Sequence, residues 1–172
     1  RRRAERVWCF EPAPLMARAL RQTAHRNDLS ERMIIVEADA GAVNAVCRFV
    51  ENALDPLASR IENTTNVTGE EVAAITLDEW ADSNDIARVD YLKIDAEGSD
   101  VDILEGARAI LRRFRPRIAA TTYNEADHCE RMIGLLRELD AGYRTVVRGV
   151  VTFGGGARPE MLHGTAASSS NP

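Results

Sequence analysis

A chain of 172 residues that is 45% hydrophobic and 28% charged can bury a core of its own and reads most simply as one globular domain. Its formal net charge of −5 argues against nucleic acid as a general partner, since phosphate binding needs a basic face. No apolar run reaches the roughly 18 residues of a membrane span. Three cysteines without close spacing, Cys9, Cys47 and Cys129, suit a reducing, cytoplasmic setting better than a disulfide framework.

Arg1, Arg2 and Arg3 make a basic start that Glu5 cuts short, and it reads as a solvated helix end or linker. Residues 7–10 are apolar and β-prone and run into Glu11. Pro12 and Pro14 follow, and Pro14 suits the first turn of a helix over 15–26, with Leu15, Ala19, Leu20 and Ala24 as its apolar stripe. A second strand over 33–36 ends in Glu37, Ala38 and Asp39, which completes a β-α-β pattern suited to a parallel sheet. Strand-like stretches over 43–50 and 72–77 flank a polar segment containing Asn52, Asp55, Pro56, Asn63, Asn66 and Gly69, expected to be a flexible loop or lid. The glycosylation-like triplets at Asn63 and Asn66 arise easily by chance.

A short helix opens near Thr76, with Asp78 as its plausible cap. The next strand, over 89–95, runs into Asp95, Ala96, Glu97 and Gly98. Ser99 and Asp102 then form a capping-box variant ahead of one helix carrying Val101, Leu104, Ala107, Ile110 and Leu111. Pro116 precedes a strand over 118–123, a helix carries Met132 to Leu139, and residues 143–153 are strand-rich. A last strand includes Met161 and His163, and residues 166–172 read as a disordered tail behind a domain over 1–165.

A parallel strand that ends in acids points them into the crevice at the carboxyl edge of its sheet, where open α/β folds bind ligands. Glu11 stands at one such edge, where an acid can accept both hydroxyls of a ribose; a surface carboxylate is the plainer reading of that residue alone. Asp39 is the natural companion for an adenine amino group, or a turn residue before Gly41. Asp95 and Glu97, two apart at a strand end, can face one side and give a candidate general base. They could also share a hard cation such as Mg²⁺, for which two carboxylates are too few. Helix N-terminal charge explains Asp100 and Asp102 well and Asp95 poorly. Lys93, inside an apolar strand, reads as half of a structural ion pair, and Tyr123 and Asn124 should reach the same crevice.

The combination of Phe10-Glu-Pro12, Thr76-Leu-Asp78, Asp90-Tyr-Leu-Lys-Ile-Asp-Ala-Glu-Gly98, Leu104-Glu-Gly-Ala107 and Pro116-Arg-Ile118 resembles the FkbM-type S-adenosylmethionine-dependent methyltransferases. Tyr123-Asn-Glu-Ala-Asp127 also fits, although such proteins often carry His where this chain has Asn124. The resemblance implies an α/β fold with a Rossmann-like class I methyltransferase sheet and flanking helices. It implies Glu11 on the cofactor ribose, Asp39 near the adenine, and Asp95 with Glu97 beside the transferring methyl group. Many members of such a family act on sugar or natural-product hydroxyls, which makes a small-molecule acceptor the expected partner.

The family's fold normally begins with a strand and a glycine-rich turn ahead of the strand that ends in the ribose acid, and only residues 1–6 precede that strand here. The expectation is therefore a sheet lacking its first strand and glycine-rich loop, in a fragment of a longer enzyme. Sheet edges left unpaired in this way would allow a homo-oligomer. The competing expectation is a non-catalytic remnant that acts as an interaction or dimerisation module.

Overall fold

The computed structural model describes residues 4–50, 60–62, 70–139, 141–153 and 156–167. The expected basic start, most of the expected loop or lid, and the end of the expected tail lie outside the described residues. The chain divides into two compact units, Arg1–Ile75 and Thr76–Pro172.

In the first unit, β1 (Val7–Phe10) runs parallel to β2 (Met33–Val36), with Val7 opposite Met33 and Phe10 opposite Val36. The crossover between them is α1 (Pro14–Arg26), which starts with proline in its first turn, where the missing N–H has no helical partner to lose. The face that α1 buries carries Ala17 and Ala24, with Ala13 just ahead, at spacings of four and seven residues. Leu15, expected in the apolar stripe, is 59% exposed, because the buried face is set by the small alanines that let the helix lie close.

A second sheet in this unit has the order β3-β6-β4-β5. It joins β3 (Asp39–Ala40) parallel to β6 (Glu70–Ile75), and β6 antiparallel to β4 (Ala45–Val50). The strand β5 (Arg60–Glu62) pairs with the far edge of β4, so part of the segment expected to be loop is strand. Cys47, Val72 and Ala74 form its buried cluster.

The second unit is built on a mixed sheet of order β7-β8-β10-β9. Parallel pairing joins β7 (Tyr91–Ile94) to β8 (Arg117–Thr121), with Ile94 opposite Ala120. The long hairpin of β9 (Tyr143–Phe153) and β10 (Gly156–Ala166) adds antiparallel through β10. Leu104, Leu111, Ile118, Met132, Leu136 and Leu162 are its largest fully buried apolar side chains. No helix among the described residues is long and apolar enough to cross a membrane.

The helices of this unit correct two expectations. Thr76 caps α2 (Leu77–Ser83), its hydroxyl accepting the Glu79 N–H at 3.2 Å, whereas Asp78 caps a different helix. Its two carboxylate oxygens accept the N–H groups of Ala109 and Ile110, at 2.8 and 2.9 Å, at the start of α4 (Arg108–Phe114). The single helix expected after Gly98 is therefore two, α3 (Asp100–Glu105) and α4, separated by Gly106 and Ala107. Gly106 accepts the Asp78 N–H at 2.9 Å, so α2 supplies both the break and the cap. The capping box expected at Ser99 does not form, and its side chain makes no cap bond. The last helix is α5 (His128–Glu138), which packs on α3.

Candidate functional site

Along β7 the side chains alternate, Leu92 and Ile94 turning toward the core while Tyr91 and Lys93 are exposed. Asp95 continues the exposed side just past the strand, and Lys93 Nζ lies 3.1 Å from its Oδ2 while also donating to the Ile94 carbonyl at 3.0 Å. The expected ion pair of Lys93 is thus present, with an exposed acid rather than a buried one. Glu97 does not follow the strand's alternation, because it lies beyond the strand in the left-handed region, at φ +45°, followed by Gly98 at φ +114°. For a non-glycine residue that backbone costs about 1–2 kcal/mol and needs outside support.

The support comes from Asp100, a residue the sequence reading assigned only to helix-end charge. Its side chain is fully buried. Oδ1 accepts the Ala96 N–H at 3.2 Å and the Thr121 hydroxyl at 2.6 Å. Oδ2 accepts the Gly98 N–H at 3.2 Å and the Asn124 amide at 3.0 Å. The two backbone bonds straddle Glu97. A buried acid with four donors around it was visible in the sequence only as one of two acids, Asp100 and Asp102, at a helix start.

The strand expected to run to residue 123 stops at Thr121, and Tyr123 and Asn124 follow it, held by bonds from β10. Arg158 Nη1 donates to the Tyr123 and Asn124 carbonyls at 2.7 and 2.8 Å, and the Thr122 hydroxyl donates to the Pro159 carbonyl at 2.7 Å. The Tyr123 phenol is pushed up by burial first and then by the charges of Asp95, Glu97, Asp100 and Glu160. Four carboxylates thus act on one phenol. That negative potential favours a cation.

The other two expected site residues are in the first unit. Glu11 follows β1 directly, its N–H donating to the Val36 carbonyl at 3.0 Å, and its Oε1 accepts the Ala13 N–H at 2.9 Å at the entrance to α1. Among the described residues its Oε2 accepts no hydrogen bond. Asp39 does not close β2, as expected, but opens β3 of the other sheet, opposite Ala74. The chain bends at Glu37 and Ala38 before it pairs again. Burial and then the Asp39 charge push the Cys47 thiol up. Among the described residues no group of three or more His, Cys, Asp or Glu could hold a metal ion.

The family model for the methyltransferase FkbM domain matches residues 1–145. The crystal structure of methyltransferase FkbM from Methylobacillus flagellatus KT is similar, with a TM-score of 0.63 at 17% sequence identity. The match covers 93% of this chain and 36% of that one, so the chain spans little more than a third of that neighbour's length. No curated protein matches.

Proposed function

This chain belongs to the FkbM methyltransferase family, and from that premise we propose that it carries S-adenosylmethionine-dependent methyl transfer to a hydroxyl of a sugar or natural-product-like acceptor. The fold proposed for that reaction is Rossmann-like. The observation that carries the reading is the convergence of Asp95 and Glu97 on the surroundings of Tyr123, at the end of a parallel strand. These carboxylates suit a cationic sulfonium, and the unused oxygen of Glu11 suits a ribose hydroxyl.

When bound, S-adenosylmethionine supplies an already activated methyl group on a positively charged sulfur. What remains for the side chains is alignment and proton removal. Asp95 and Glu97 would lie toward the methyl-bearing end, where one of them would take the proton of the acceptor hydroxyl. Within the first unit, the family resemblance would give Glu11 the ribose and Asp39 the adenine amino group. Calorimetry of S-adenosylmethionine binding to the full protein tests the ribose assignment. Glu11→Ala should weaken binding about tenfold, the loss of one charge-assisted contact worth roughly 1.4 kcal/mol, and undiminished binding removes the assignment.

A second reading, an interaction module that associates through sheet edges, is favoured by one feature of the second unit. Among the described residues β7 pairs with a strand on one side only, and β9 closes the other end of the sheet with Val146 and Val150 exposed. That reading predicts association that rises with concentration and no thermal stabilisation by S-adenosylmethionine.

A further inference from the structure

We propose that Asp100 is the positioning residue of the acidic edge, accepting the N–H groups on both sides of Glu97 so that the loop from Asp95 to Gly98 presents its two acids in one fixed arrangement. The inference rests on the methyl-transfer reading for what the two acids do, but not for the loop's geometry.

Three observations carry it. The loop contains a left-handed residue, Glu97, flanked by Ala96 and Gly98, whose N–H groups both turn to the same carboxylate. Alternate N–H groups around a left-handed residue form a concave nest that suits an anionic oxygen pair. The carboxylate that fills it belongs to the protein itself and is 0% exposed. Its remaining lone pairs are taken by Thr121 and Asn124, from β8 and the segment after it, so Asp100 cannot rotate without breaking bonds to both.

All four partners donate, which only an acceptor-only group satisfies. Asparagine has the same shape but sets its NH₂ against the N–H of Ala96 or Gly98. The Thr121 hydroxyl or the Asn124 amide can turn to accept, but a backbone N–H cannot, so Asp100→Asn breaks the nest on one side with little change in volume. The same logic gives Asn124 a role the sequence did not suggest. Its side-chain amide donates to the nest carboxylate, while Arg158 donates to its backbone carbonyl.

The test is amide hydrogen exchange on the ¹⁵N-labelled full protein without cofactor, with S-adenosylmethionine binding measured in parallel. In the wild type, the Ala96 and Gly98 amides should exchange at least about tenfold more slowly than an unprotected loop amide, although they lie in a surface turn. Fast exchange at both in the wild type overturns the proposal without any variant. In Asp100→Asn this protection should fall about tenfold while Ile94 and Ala120 amides in β7 and β8 stay protected, and S-adenosylmethionine should bind about tenfold more weakly.

The double variant Asp100→Asn with Asn124→Asp restores a donor and acceptor pair between the two side chains but still faces an N–H with an NH₂. It should recover thermal stability without recovering Ala96 and Gly98 protection or cofactor affinity. Recovery of all three would mean that Asp100 only ties α3 to β8, and would overturn the positioning role. If the wild type binds no S-adenosylmethionine, the methyl-transfer reading fails, while the amide protection still decides whether Asp100 holds the loop.

Discussion

The Asp78 carboxylate accepts the backbone N–H of Ile110 at 2.9 Å, so a residue of α2 caps a helix that begins 30 positions later. With the second bond, to Ala109, it satisfies two donors that α4 cannot pair internally. Asp78→Ala should lower stability by about 1–2 kcal/mol, measured by urea unfolding, the range for losing a good N-cap. Asp78→Asn keeps one acceptor and should lose less. Equal stability of Asp78→Ala and the wild type would mean that the cap contributes nothing.

Gly149 sits inside β9 at φ +82°, opposite Glu160, and a Cβ there would come within 2.9 Å of the Glu160 Cβ. Because that neighbour is the stem of a side chain, it cannot swing aside. Gly149→Ala should therefore destabilise the hairpin by about 1–3 kcal/mol, combining left-handed strain with crowding. Thermal unfolding checks it, and Glu160→Gly in the same chain, which removes the opposing Cβ, should recover the crowding part alone.

Tyr143 donates its hydroxyl to the Pro116 carbonyl at 3.0 Å, and burial pushes its phenol up to about 12, against a partial lowering by Arg115. Between the ordinary value of 10.0 and about 12, the unfolded chain releases this proton and the folded chain keeps it. Stability from Tyr143 is thus fully present below pH 10 and lost as pH rises toward 12. Urea unfolding should show a gap between wild type and Tyr143→Phe that narrows across that window. A gap independent of pH would mean that the phenol titrates normally in the fold.

Much of the architecture was legible because it is local. The apolar run over 7–10, the proline-led helix and the strand over 33–36 announce a β-α-β unit, and the acids after Ile94 announce the end of a strand. Short-range reasoning failed where a side chain reaches across the chain. Asp78 looked like the cap of its own helix because Ala109 and Ile110 lie 31 and 32 residues away. Asp100 looked like helix-end charge because Thr121 and Asn124, the donors that bury it, follow 21 and 24 residues later. Asp39 was placed on the wrong strand because a two-residue pairing with β6 leaves no periodic pattern to read. The alternation argument for Glu97 failed because the strand stops at Ile94 and the loop then turns left-handed.

The most direct measurement compares S-adenosylmethionine with its neutral, demethylated product, S-adenosylhomocysteine, by calorimetry on the full protein and on Asp95→Asn. The two ligands differ at the site in one methyl group and one positive charge, so their affinity ratio reports the charge the acidic edge recognises. If Asp95 faces the sulfonium, the variant should lose about tenfold for S-adenosylmethionine, roughly 1.4 kcal/mol, and much less for the neutral product. Equal losses for both ligands, or no loss for either, would contradict the assignment of Asp95 to the methyl-transfer edge.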